Sequence, residues 1–101
     1  MDKKQKLPAE EIQERLKDIS GWILENGKLH KVFLFKNFVQ AFGFMTSCAL
    51  VAESLNHHPE WFNAYKKVVV DLMTHEADGI TSLDFDLAGR MNAIAPESGV
   101  L

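Results

Sequence analysis

Cysteine is nearly absent from this chain: one residue in 101, Cys48, carries a thiol. A single thiol forms no internal disulfide and gives zinc no cysteine pair. It lies in an apolar stretch, where a free cysteine behaves as a small buried hydrophobe. The six glycines are scattered, so there is no Gly-rich loop to cradle phosphate. Neither Ser54 nor Cys48 sits in the strained turn that exposes a nucleophile. Positive charge is also scarce. The net charge of -3 and the lack of a basic cluster argue against direct nucleic-acid binding. No uninterrupted apolar run approaches bilayer length, and the N-terminus lacks the apolar core of a signal peptide. The default expectation is a cytoplasmic protein without a membrane partner.

What remains is the composition of one globular domain, 47% hydrophobic and 25% charged, with seven Phe and two Trp, too aromatic for a disordered chain. Residues 7–96 are read as that domain, with little core to spare at this length. Residues 1–6, which include Lys3, Lys4 and Lys6, are read as a disordered tail, and 97–101 as a C-terminal tail.

Pro8-Ala9-Glu10-Glu11 opens a helix, with proline early and acids meeting the positive end of the dipole. Ile12, Leu16 and Ile19 recur at helical spacing until Ser20-Gly21 stops them. Trp22-Ile23-Leu24, Asn26-Gly27 and Leu29 to Phe35 form a hairpin, because Asn-Gly suits a type I′ turn. Asn37 caps a second helix running to about Leu55. Its apolar residues wrap most of the way round, whereas a surface helix keeps one polar face. A chain this small buries such a helix by packing one side on its own sheet and the other on a second subunit. His57-His58-Pro59 ends the helix. Trp61 to Tyr65 and Val68 to His75 read as strands joined through Lys66-Lys67, a pair with poor turn chemistry. Thr81-Ser82-Leu83-Asp84 resembles a capping box opening a last helix that Pro96 closes. The order points to an α+β fold, an antiparallel sheet with helices on one face.

Three of four histidines fall at element ends, where functional groups tend to be mounted: His57, His58 and His75. His30 reads as a half-exposed strand residue. A zinc site built from the three with Glu53 is the rival reading, but no two are spaced i, i+4 on a helix and no cysteine supports them. Imidazole acid/base chemistry on a neutral, flat ligand remains, with Trp61, Phe62 and Tyr65 available as walls.

The string Glu53-Ser54-Leu55-Asn56-His57-His58-Pro59-Glu60-Trp61-Phe62-Asn63, followed by Tyr65, His75 and Asp84, resembles the signature of the pterin-4a-carbinolamine dehydratases. Thr74-His75-Glu76 before Gly79, and Leu87-Ala88 after Asp84, extend the similarity, which runs from about Leu7 to Ala95. The resemblance implies a four-stranded antiparallel sheet with three helices packed on one face. It implies dehydration of 4a-hydroxytetrahydropterin to quinonoid dihydropterin, with no metal and no organic cofactor. It also implies a homodimer or homotetramer formed through helix 37–55. His57 and His75 become the catalytic acid and base, without an assignment of which is which. His58, Pro59, Trp61, Glu53 and Asp84 become substrate-binding residues. Glu53, one turn before His57, is placed to hydrogen-bond an imidazole and fix its tautomer. Asn56 stands where many relatives carry Asp, so that position lends no negative charge. Two further roles follow from the resemblance. One is a protein-binding module, the dimerisation cofactor of a transcription factor. The other is a dehydratase-like protein of molybdenum-cofactor or other pterin metabolism.

Overall fold

Asn26 and Gly27 both adopt positive φ, 52° and 76°, the backbone that a type I′ turn demands. They join β1 (Ile23–Glu25) to β2 (Lys28–Leu34) and set the pairing Glu25↔Lys28 and Ile23↔His30. A computed structural model of the chain describes residues 4–96. Around the hairpin it places α1 (Ala9–Leu16), α2 (Phe38–Leu55), β3 (Glu60–Ala64), β4 (Lys67–Leu72), a 3₁₀ turn (His75–Ala77) and α3 (Ser82–Ile94). The strands form one antiparallel sheet in the order β1-β2-β4-β3. The fold is α+β as expected, three helices with a four-stranded antiparallel sheet.

Strand alternation divides the sheet into two faces. Leu29, Phe33, Val68, Val70 and Leu72 are buried against the helices, with Ile12 from α1 and Leu87, Ala88 and Met91 from α3. Phe33 and Phe35 stack near Phe44 of α2, with ring centroids 4.6 and 4.9 Å from it. The opposite face carries Lys28, His30, Asp71 and Glu60. Register puts His30 opposite Asp71, and Asp71 opposite Glu60. One polar row therefore crosses three strands.

Asn37 caps α2, its side chain accepting from Gln40 N at 2.8 Å. Ala41, Phe44, Cys48 and Ala52 form the stripe that α2 buries. Burial pushes the Cys48 thiol up to about 12, so it stays protonated at neutral pH and is no nucleophile. On the other side Val39 is 78% and Leu50 71% exposed, with Phe38 and Phe42 exposed beside them. By length and composition α2 is apolar enough to cross a membrane, with a mean hydropathy of 1.4 over 18 residues; its buried stripe is packed on the sheet instead.

Three expected boundaries move. β3 and β4 are joined at Tyr65-Lys66, not Lys66-Lys67. Tyr65 takes φ 55°, and Asn63 Nδ2 brackets the turn by donating to the carbonyls of Tyr65 and Lys67, at 3.2 and 2.9 Å. β4 ends at Leu72. Thr74 pairs with Gly79 and closes a loop that lifts His75 off the strand. Finally, α1 ends at Leu16, short of Ile19. Ahead of it, Lys4 Nζ lies 3.4 Å from Glu76, and Leu7 N donates to Ile80 O. Residues 1–3 and 97–101, the rest of the expected tails, lie outside the described residues.

Gly27→Ala tests the hairpin. A methyl there meets nothing within 4 Å, so its cost is left-handed backbone alone, about 1–2 kcal/mol. The urea midpoint should fall with an unchanged slope; an unaltered midpoint would show that the turn does not set the register.

Candidate functional site

Proline does not by itself stop α2. Asn56 takes a left-handed conformation, φ 50° and ψ 43°, which Asn tolerates better than most residues. The Asn56 amide then donates to Glu53 O at 3.1 Å and the His57 amide to Ala52 O at 3.0 Å. This pair of bonds is a Schellman motif. It turns the chain sharply and sends the two histidines apart, His57 inward and His58 outward. Position 56 thus serves backbone geometry, and Asn56 also lines the cleft described below.

His57 runs into the start of α3. Thr81 is the N-cap, its hydroxyl accepting from Leu83 N at 3.2 Å, while Asp84 Oδ2 accepts from Thr81 N at 2.9 Å. This is the capping box read from the sequence, with Asp in the third position. Asp84 is fully buried and does more than cap. Its Oδ2 also accepts from the Thr74 hydroxyl at 2.9 Å, and its Oδ1 from His57 Nε2–H at 2.5 Å. Thr74 spends its one hydroxyl proton on Asp84, so it accepts from Thr81 Oγ1 at 2.7 Å. No buried side-chain polar atom among the described residues lacks a partner. Asp84 was expected to touch substrate; with no exposure and all its bonds directed inward, it holds His57.

The other two imidazoles are built the same way, further out. His58 Nε2 meets Glu53 Oε1 at 2.9 Å. Glu53 therefore orients His58, not His57. His75 Nε2 meets Glu60 Oε2 at 2.8 Å, and Glu60 Oε1 accepts from Lys28 Nζ at 2.6 Å. Lys28 holds the Glu60 carboxyl below its ordinary range, opposed by burial and helped by His75; Glu60 in turn raises Lys28. In each ring Nε2 faces a carboxylate, and Nδ1 has no hydrogen-bond partner among the described residues. Side-chain exposure grades from 8% at His57 through 57% at His58 to 74% at His75. All three line one open cleft of about 170 Å³, together with Asn56, Met73 and Glu76.

Not every expected residue is there. Trp61 lies on the helix side of the sheet, beside Phe42, Met45, Thr46 and Ala49. Phe62 and Tyr65 are exposed and do not line the cleft, and Pro59 connects His58 to β3 without lining it either. Glu60, Lys28 and Thr74 were given no role from the sequence. Glu60 and Thr74 stood inside the quoted strings, and strand alternation sets Glu60 opposite in sense to Trp61, which was the available signal. His30 is half-buried and hydrogen-bonded to Asp71 at 2.8 Å, and does not line the cleft. Among the described residues no three His, Cys, Asp or Glu side chains converge as metal ligands.

The family model described as pterin 4 alpha carbinolamine dehydratase matches residues 5–94. The chain belongs to that family. A Solibacter usitatus protein named for pterin-4-alpha-carbinolamine dehydratase is 53% identical over 90 residues, covering 89% of this chain and 95% of its own. A Sinorhizobium fredii protein of the same name is 55% identical over 93 residues, covering 90% and 89%. A crystal structure from Brucella melitensis, described as a transcriptional coactivator/pterin dehydratase, superposes with TM-score 0.88 at 48% identity. It covers 91% of this chain and 100% of that one. Membership of the dehydratase family agrees with the resemblance read from Glu53 to Asp84.

Asp84→Ala removes the buried acceptor of His57 and Thr74 and the α3 cap. The expected loss is about 2–4 kcal/mol, from the donors left without a partner and the lost cap, read from chemical denaturation. Stability within ~0.5 kcal/mol of the parent would show that His57 is held by something else.

Proposed function

We propose that the protein dehydrates 4a-hydroxytetrahydropterin to quinonoid dihydropterin and water, acting in the cytoplasm in pterin recycling. The observation that carries this reading is the convergence of three carboxylate-oriented imidazoles on one cleft, in a chain of the dehydratase family. In the reaction the C4a–O bond breaks, the leaving oxygen gains a proton, and a pterin ring nitrogen loses one as a C=N bond forms. One imidazole must give a proton and another take one. His57 and His75 fill these roles, and each transfer is worth ~10²–10⁴-fold. His58, exposed and steadied by Glu53, binds and orients the pterin. The site needs no organic cofactor and no metal for these transfers.

The roles follow from the surroundings. His57 is held in a dry environment by Asp84, so its orientation is the most tightly defined. His75 rides on a closed loop where product can leave. Asp84 supports this cleft from behind through His57, Pro59 follows His58 in the chain, and Trp61 packs on the helix side of the sheet.

A second reading is favoured by the exposed apolar side of α2. Val39, Phe42 and Leu50 suit self-association into a dimer or tetramer through residues 37–55, or docking of a protein partner. No direct nucleic-acid or membrane contact is required by either role.

Stopped-flow measurement with freshly formed 4a-hydroxytetrahydropterin tests the activity. His75→Ala and His57→Gln, the latter keeping an N–H donor for Asp84, should each slow the catalysed rate by ~10²–10⁴-fold with folding intact. Wild-type protein that fails to exceed spontaneous dehydration would dispose of the enzyme reading. For the second reading, light scattering at micromolar protein should give a multiple of the 11.4 kDa chain mass, reduced by Leu50→Glu. A wild-type monomer would exclude self-association through α2.

A further inference from the structure

The pair Lys28–Glu60 lies outside the lining of the cleft, yet one of its three polar termini ends on His75. Lys28 comes from the first residue of β2 and Glu60 from the first of β3, strands separated in the sheet by β4. The 2.6 Å bond between them spans that strand, above Asp71. Glu60 is therefore anchored to the rigid sheet, whereas His75 belongs to a loop. A lysine ammonium only donates, so the Glu60 oxygen facing Lys28 is committed as an acceptor. The second oxygen, also an acceptor, is presented to His75 Nε2 at 2.8 Å.

We propose that Glu60, fixed by Lys28, is the positioning residue for His75: it holds the neutral ring as the Nε2–H tautomer and leaves Nδ1 as the nitrogen that exchanges a proton in the cleft. The proposal rests on the reading of His75 as an acid/base group and adds which atom acts and what selects it. It also gives the three rings one rule, since His57 and His58 likewise turn Nε2 to a carboxylate. His75 differs in that its carboxylate has a cationic second partner, and this makes the arrangement sensitive to a single substitution.

In Glu60→Gln, Lys28 still demands an oxygen, so the amide NH₂ must turn to His75. An NH₂ group needs a lone pair, which Nε2 has only if the proton moves to Nδ1. The variant should therefore reverse the tautomer preference, and the double variant Lys28→Met with Glu60→Gln, in which the amide is free to rotate, should undo much of the reversal.

Histidine-selective ¹⁵N NMR of the full chain, at a pH of about 8.5 where ordinary imidazoles are neutral, reads this directly. Wild type is expected to show mainly Nε2–H at His75. Glu60→Gln should shift the ratio toward Nδ1–H by ~3–10-fold, the range set by one net hydrogen bond, and the double variant should move it back. A ratio unchanged in Glu60→Gln, or the same in the double variant as in the single, overturns the positioning role. Dehydration kinetics separate this from the functional reading. As the Nε2–H fraction falls, kcat should fall with it, by up to the same ~3–10-fold with KM altered far less, and an unaltered kcat would overturn the role of Nδ1. Wild-type protein that shows the expected tautomers but no dehydratase activity would sink the function while leaving the positioning intact.

Discussion

Everything else in the site hangs on the carboxylate of Asp84. It is sealed from water, yet it accepts from an imidazole, a hydroxyl and a backbone amide. A buried carboxylate survives only when its lone pairs are occupied, and here the partners come from three places: the turn after α2, the bridge residue Thr74 just past β4 and the cap of α3. The same charge lies at the first turn of a helix, where the dipole favours it. A single group thus starts α3, anchors the base of the loop carrying His75 and orients His57.

The remaining imidazole–carboxylate pairs are progressively wetter, and that gradient sets how firmly each ring is held. A pair deep in low dielectric is stiff and strongly coupled, whereas one in water is screened and worth little as an ion pair. His57 has the geometry of a fixed group; His58 and His75 can adjust to a ligand arriving from solvent. Glu60 is an intermediate case, since a cation on one oxygen compensates for what exposure weakens.

Local signals in the sequence were strong where one short segment decides the geometry. Asn26-Gly27, the Asn37 cap and the Thr81–Asp84 box each specify a turn or a helix start with their own atoms, and all three stand as read. The Tyr65-Lys66 turn was invisible because neither residue favours positive φ; Asn63 stabilises it from a neighbouring strand. Trp61 and Glu60 exchanged importance for a similar reason. Alternation says they face opposite ways, but which way depends on pairing with β4. Asp84 was recognised twice, as a cap and as a family residue. Only the packing of α3 against the end of α2 shows that both descriptions apply to one inward-facing carboxylate. The family motif located the cleft, and the division between its lining and its supports needed the third dimension.

The partners that meet around the cleft are far apart along the chain: 27 residues between His57 and Asp84, 32 between Lys28 and Glu60, and 15 between Glu60 and His75. Such contacts repay their loop-closure entropy only once the sheet and α3 have come together. No excised hairpin or helix carries a working fraction of the site. Its geometry is a property of the whole topology, which makes a domain of this size an all-or-none unit rather than a scaffold with a detachable motif.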